Sequence, residues 1–317
     1  MSITSHSHNE GEARPRWKLL LKRLLCYAKS IAALAAALAV LFGVGCQGRA
    51  PVQFDGQKAY EHVLAQVAFG PRPVGSEALG KTADYIESSL KAAGWVPSRV
   101  EGEYRGVPIR NIVAEKGAGG RKGKIVIGAH YDTRPAADRD PDASRRGEPI
   151  LGANDGASGV AVLLELARVF DPARCQYEVV LAFFDGEDRG GIDGWPFSVG
   201  ADMVAERMGR GLSGMILVDM VGDADLQIYL EGNSDSQLAA EIWNVARRLG
   251  LGDRFVPEVR YTLVDDHVPF LRRGVPSVDI IDFDYPYWHT TADTADKVSA
   301  KSLEMVGRVL LEYLYTR

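Results

Sequence analysis

Cysteine is scarce: the 317 residues contain three, at Cys26, Cys46 and Cys175. Cys175 stands alone beyond the first fifty residues, so that part has no disulfide framework and no thiolate cluster for a metal. A buried structural thiol is the expectation for Cys175. A basic stripe with interleaved aromatics is also missing, and the net charge is −5, which sets nucleic acid aside as a partner. No uninterrupted apolar run reaches the roughly 20 residues that a membrane-spanning helix prefers.

The longest apolar run, residues 31–46, is rich in Ala, Leu and Val. A cationic stretch precedes it, with Arg14, Arg16, Lys18, Lys22, Arg23 and Lys29. A positive region before a short apolar core is the pattern of an export signal. Phe42, Gly43, Val44, Gly45 and Cys46 close the run and resemble a bacterial lipoprotein box, although Gly43 sits where Leu is usual. The expectation is a signal or anchor segment over residues 1–49 and one exported catalytic domain over residues 50–317. That domain is tethered to a membrane as a lipoprotein or through an uncleaved anchor.

The composition is that of a globular domain, with 46% hydrophobic and 25% charged residues. Helical spacing predicts helices over residues 57–67, 77–93, 156–169, 235–249, 268–273 and 300–315. Apolar, β-rich runs predict strands over residues 111–115, 124–129, 178–184, 214–220, 226–230 and 277–281. Strands alternating with helices predict a single three-layer α/β domain, a mostly parallel central sheet with helices on both faces. In such sheets a site lies beyond the carboxyl ends of the strands.

Several acids and histidines pass that test. His130 follows the strand at 124–129, Glu187 and Asp188 follow that at 178–184, and Asp219 ends a third. His289 lies in the loop after residues 277–281, and Asp155 opens the helix after the long loop. Zinc takes nitrogen from imidazole and oxygen from carboxylate, with three protein ligands and one open position in catalytic sites. Two carboxylates and one His suit that count. Adjacent Glu187 and Asp188 fit divided roles, one ligating and the other moving protons. Taken singly, Asp155 reads equally well as a helix cap, Asp219 as the cap of a turn, and His289 as a polar loop residue.

The segments IVIGAHYDTRP, GANDGASGVAVLLELAR, VVLAFFDGEDRGG, LVDMVGD and YWHTTADTADKV resemble the zinc-dependent aminopeptidase and glutaminyl cyclase superfamily. The similarity runs from about residue 57 to residue 314, in five ordered motifs. Residues 265–276, DDHVPFLRRGVP, are similar to the cyclase segment nearly residue for residue, and the chain resembles bacterial glutaminyl cyclase-like proteins.

The cyclase resemblance implies one zinc ion on Asp155, Asp188 and His289. Glu187 then moves the proton, Asp219 and Asp265 hold Glu187 and the substrate amine, and Trp288, Asp266 and Trp195 contact the substrate. Its implied reaction is formation of N-terminal pyroglutamate from Gln with release of ammonia. The aminopeptidase resemblance implies two zinc ions, the second on His130 and Asp219 with Asp155 bridging, and hydrolysis of other peptide N-termini. A non-catalytic binding domain on the same fold is the third reading. Two departures stand out. Asp188 replaces the usual Glu of the cyclases, and Trp195 lies a little further beyond Glu187 than their pocket Trp.

Overall fold

The computed structural model describes residues 53–316. The expected signal or anchor segment, with Cys46, lies outside them. Among the described residues no helix is long and apolar enough to cross a membrane.

Four strands carry almost unbroken apolar sequence: β3 (Lys124–His130), β4 (Glu178–Phe184), β5 (Gly214–Asp219) and β8 (Ser277–Ile281). Such runs are stable only where both faces of a strand are covered. They pair in parallel in the order β4-β3-β5-β8. β1 (Val96–Tyr104) and β2 (Val107–Lys116) form an antiparallel hairpin that extends the sheet through antiparallel pairing of β2 with β4. β6 (Ile228–Glu231) and β7 (Phe255–Tyr261) form a separate parallel pair.

The side-chain period of two divides the core. Ile125, Ile127 and Ala129 of β3 pack with α1 (Gly56–Val67), α2 (Glu77–Ala92), α3 (Ala157–Val169), α5 (Ser236–Arg248) and α7 (Ala300–Thr316). Val126 of β3 and Val180, Ala182 and Phe184 of β4 face the other way, onto α4 (Val199–Met208) and Phe270 of α6 (Val268–Arg272). The result is the three-layer α/β domain that the alternation of elements predicts.

α3 lies hard against the sheet. A Cβ at Gly159 would meet the Val218 carbonyl oxygen at 2.1 Å, so only glycine lets this helix sit so near β5. The close seat matters because Asp155 stands just before α3 and Asp219 ends β5. β1, β7 and α4 were not predicted. β1 is mostly exposed and lacks a clean alternation, β7 contains Pro257, and α4 is short with Gly200 inside it.

Candidate active site

Several of the acids and imidazoles of interest sit at or beside the end of a central element, and His289 lies in the loop beyond β8. His130 is the last residue of β3 and Asp219 the last of β5. Gly186, in a left-handed turn at φ 80°, follows β4 and presents Glu187 and Asp188 together. Asp155 precedes α3, but Gly156 is the cap residue of that helix and no side chain caps it. The Asp155 carboxylate is therefore free to face the site.

The tips converge in two adjoining groups. Asp155, Asp188 and His289 offer ligand atoms all within 4.8 Å of one another, as do His130, Asp155 and Asp219. His289 Nε2 is 3.1 Å from Asp188 Oδ1 and 3.6 Å from Asp155 Oδ2. His130 Nε2 is 3.0 Å from Asp219 Oδ1 and 3.2 Å from Asp155 Oδ1. Asp155 thus turns one oxygen to each group.

This donor set fits a divalent metal. Asp155 Oδ2 and Asp188 Oδ2 are buried with no hydrogen-bond partner. Unpartnered carboxylate oxygens at that depth are costly unless a cation or proton joins them. The other nitrogen of His289, Nδ1, lies 3.3 Å from Asp138 Oδ1, a charge contact without hydrogen-bond geometry on the side of the ring away from the cluster. His130 Nδ1 is 3.6 Å from Asp132 Oδ1, beyond hydrogen-bond range, and is buried without a hydrogen-bond partner.

Two further carboxylates hold the loops. Asp132 accepts the backbone N–H groups of Glu187 at 3.2 Å and of Asp188 at 3.1 Å. Asp293 accepts those of Asn154 at 2.9 Å and Asp155 at 3.1 Å, and the Tyr285 hydroxyl at 2.8 Å. Sequence reasoning passed over Asp132, Asp138 and Asp293. Asp132 lies inside the HYD segment and Asp293 inside WHTTADTAD, so their signal was position within a motif.

Charge crowding shifts the acids. Burial, and then the Asp265 carboxylate, pushes Glu187 well above the usual carboxylate range. Burial and Asp155 raise Asp188 to about 6. Burial and Asp219 raise Asp265 to about 7. Burial opposes charge on His289 as well, but Asp188 outweighs it and raises the imidazole to about 9. Asp155 moves the other way, because hydrogen bonding to His130 overcomes the effect of burial.

A cavity of about 310 Å³ opens onto this cluster. Asp155, Glu187, Asp219, Asp265 and His289 line its acidic end, and Phe197, Phe283 and Trp288 supply its aromatic walls. The Trp288 ring lies over His289 with centroids 3.9 Å apart, and Phe283 packs on Trp288 at 4.9 Å. Met220 and His289 both hold left-handed backbone, at φ 45° and 55°. Strain of this kind persists where the surrounding structure over-determines a side chain's position.

Two of the expected substrate contacts lie elsewhere. Trp195 is buried beside Tyr104, Ile109 and Val199, under the Arg189 guanidinium, and does not line the cavity. Phe197, two residues on, lines it instead. Asp266 is fully buried behind the wall and only Asp265 reaches the cavity. In both places a side chain close by in sequence faces inward instead.

A family model described as Peptidase family M28 matches residues 111–314. The glutaminyl-peptide cyclotransferase of Bothrops jararaca is 27% identical over 240 residues, 61% of this chain. The chain spans 62% of the length of that curated relative. The solved glutaminyl cyclase of Bacteroides thetaiotaomicron, bound to N-acetylhistamine, is 32% identical with a TM-score of 0.78. The match covers 84% of this chain and 99% of that one. A structure described as a leucine aminopeptidase precursor, from the same species, gives the same four values.

Proposed function

Since the chain belongs to peptidase family M28 and stands close to the glutaminyl cyclases within it, we propose that it converts N-terminal glutamine of peptides to pyroglutamate. The observation that carries this reading is one juxtaposition. One cavity places Trp288, Asp265 and the raised-pKa Glu187 against the Asp155–Asp188–His289 cluster.

The N-terminal residue enters with its side chain toward the cluster and Trp288 along its flank. A zinc ion held by Asp155, Asp188 and His289 would supply Lewis acidity to the γ-carbonyl group. Asp265 and Asp219 attract the α-ammonium and orient it beside Glu187. The ammonium gives its extra proton to solvent, Glu187 takes one of the two protons left on the neutral amine, and the nitrogen attacks the γ-carbon. The new C–N bond closes the ring, the old C–N bond breaks, and Glu187 returns its proton to the departing ammonia. A carboxyl group held well above the usual carboxylate range is suited to both transfers. Ring closure is intramolecular, so orientation alone lowers much of the barrier. No water is consumed.

The test is to incubate metal-loaded protein with a Gln-peptide and read ammonia release together with the mass of the product. Glu187→Gln is expected to stop turnover, with a loss of about 10²-fold or more, while metal stays bound. Near-normal turnover in that variant would remove the proton carrier from the scheme.

A second reading has its own support in the His130–Asp155–Asp219 group and in the aminopeptidase precursor among the similar structures. Two metal ions would then flank Asp155, and Glu187 would activate water for hydrolysis. Release of amine from Leu- or Ala-anilides, with two metal ions per chain, selects this reading. Ammonia from Gln-peptides with one ion selects cyclisation.

A further inference from the structure

A second cavity, of about 310 Å³, lies next to the catalytic one, and the two share Phe197 and Val264 as walls. Both shared side chains are unusually exposed for their type, Phe197 at 38% and Val264 at 56%. The rest of the lining is largely apolar, from Tyr104, Val199, Met203, Val268 and Pro269. No apolar group of the described chain fills this space.

Two polar features mark it as a place for a ligand. Ser198 lines the cavity, is 2% exposed, and its Oγ has no hydrogen-bond partner. It also holds left-handed backbone, at φ 63°, between exposed Phe197 and the start of α4. A buried hydroxyl without a partner costs stability unless something occupying the site supplies one. At the rim, Arg273 Nη1 pairs with Asp202 Oδ1 at 2.8 Å, which neutralises that acid. Neighbouring Arg272 makes no ion pair among the described residues and leaves the rim net positive.

We propose that this cavity is a subsite for the substrate peptide downstream of its first residue. It takes an apolar side chain at the second or third position, with an acidic residue beyond it at Arg272. The inference rests on the first cavity receiving a peptide N-terminus, and it holds whether that terminus is cyclised or cleaved. A chain leaving the first cavity over Phe197 and Val264 enters the second directly. Ser198 stands in the wall it passes, and Leu or Phe covers the apolar part.

The test compares the amidated peptides Gln-Ala-Ala, Gln-Leu-Ala and Gln-Ala-Leu, each with and without a following Glu. Turnover is measured on the metal-loaded full chain, and affinity by calorimetry on its Glu187→Gln variant. Leu at one position is expected to raise kcat/KM and affinity about tenfold over Ala, the scale of burying a few methylene groups. The following Glu is expected to add up to about fivefold, the scale of a partly exposed ion pair. Val268→Trp, which fills the cavity, removes the Leu gain. Arg272→Glu, an exposed change that leaves the core untouched, reverses the Glu gain. Equal constants for Leu and Ala at both positions overturn the proposal. So does a Leu gain that survives Val268→Trp at unchanged melting temperature. Tighter binding of Leu peptides with neither ammonia nor amine released keeps the subsite and overturns the catalytic reading instead.

Discussion

Asp138 touches no other part of the acidic cluster, yet it is expected to govern metal affinity. Its Oδ1 lies 3.3 Å from His289 Nδ1, and its two oxygens are each 2.8 Å from the Arg134 guanidinium. Against the effect of burial, Arg134 and then His289 hold Asp138 below the usual carboxylate range, so it is charged wherever the enzyme works. A carboxylate this close to Nδ1 favours the tautomer with the proton there, which leaves the Nε2 lone pair for the metal. Loss of such a partner typically weakens metal binding about 10–100-fold, or roughly 1.4–2.7 kcal/mol. The Asp138 side chain is 41% exposed, so water replaces part of the interaction and Asp138→Ala should fall near the lower limit. Arg134 keeps its bonds to the Asp188 and Gly190 carbonyl oxygens, both at 3.0 Å, so the loop itself should hold. The assay is a zinc titration of metal-free protein against a competing chelator, paired with activity as a function of free zinc. The expected result is a dissociation constant about tenfold higher, near-normal activity at saturating zinc, and an intermediate Asp138→Asn. An unchanged affinity would mean that His289 is not oriented this way or does not ligate. Activity lost even at saturation would mean that Asp138 meets the substrate.

Three other outcomes follow from the same geometry. In the metal-free protein, Asp188 at about 6 and Asp265 at about 7 lie above the ordinary aspartate value of 3.8, and His289 at about 9 lies above the ordinary 6.5. The folded state therefore binds more protons than the unfolded chain, and stability falls as pH rises, through the acids first and His289 last. Metal-free protein should melt higher at pH 5 than at pH 8, and added zinc should narrow the gap; a flat profile refutes the crowding argument. Asp132→Ala leaves the Glu187 and Asp188 N–H groups buried without an acceptor. It should cost about 2–6 kcal/mol in urea unfolding, and a loss below about 1 kcal/mol would show that the turn does not depend on it. Gly159→Ala forces a methyl group against the Val218 carbonyl and should destabilise by at least about 1–3 kcal/mol. Because α3 must then lift from β5, activity should fall further than stability alone explains, and a neutral effect would disprove the close seat.

The layers, the parallel core of the sheet and the convergence on one rim were legible in the chain. Runs such as IVIGA and VVLAFF demand cover on both faces, and residues placed after such strands collect at one end of a sheet. Local pattern carried no comparable signal for β1, whose side chains mostly face water, or for α4, whose Gly200 accommodates Asn111 Oδ1 and the Asp185 backbone, 2.2 Å from where a Cβ would be. Sequence alone also left Asp155 balanced between cap and ligand. The structure gives the cap position to Gly156 and turns the Asp155 oxygens to two different imidazoles.

Composition and periodicity thus determined which residue types end up near one another, because hydrophobic burial acts on whole segments. Which of two neighbours faces the cavity, Phe197 rather than Trp195 and Asp265 rather than Asp266, was decided only in three dimensions. A turn aims a side chain through φ/ψ values that distant partners hold in place. Such partners are joined through space, by hydrogen bonds spanning 55 residues from Asp132 to Glu187 and 139 from Asp293 to Asn154, and no local pattern records them.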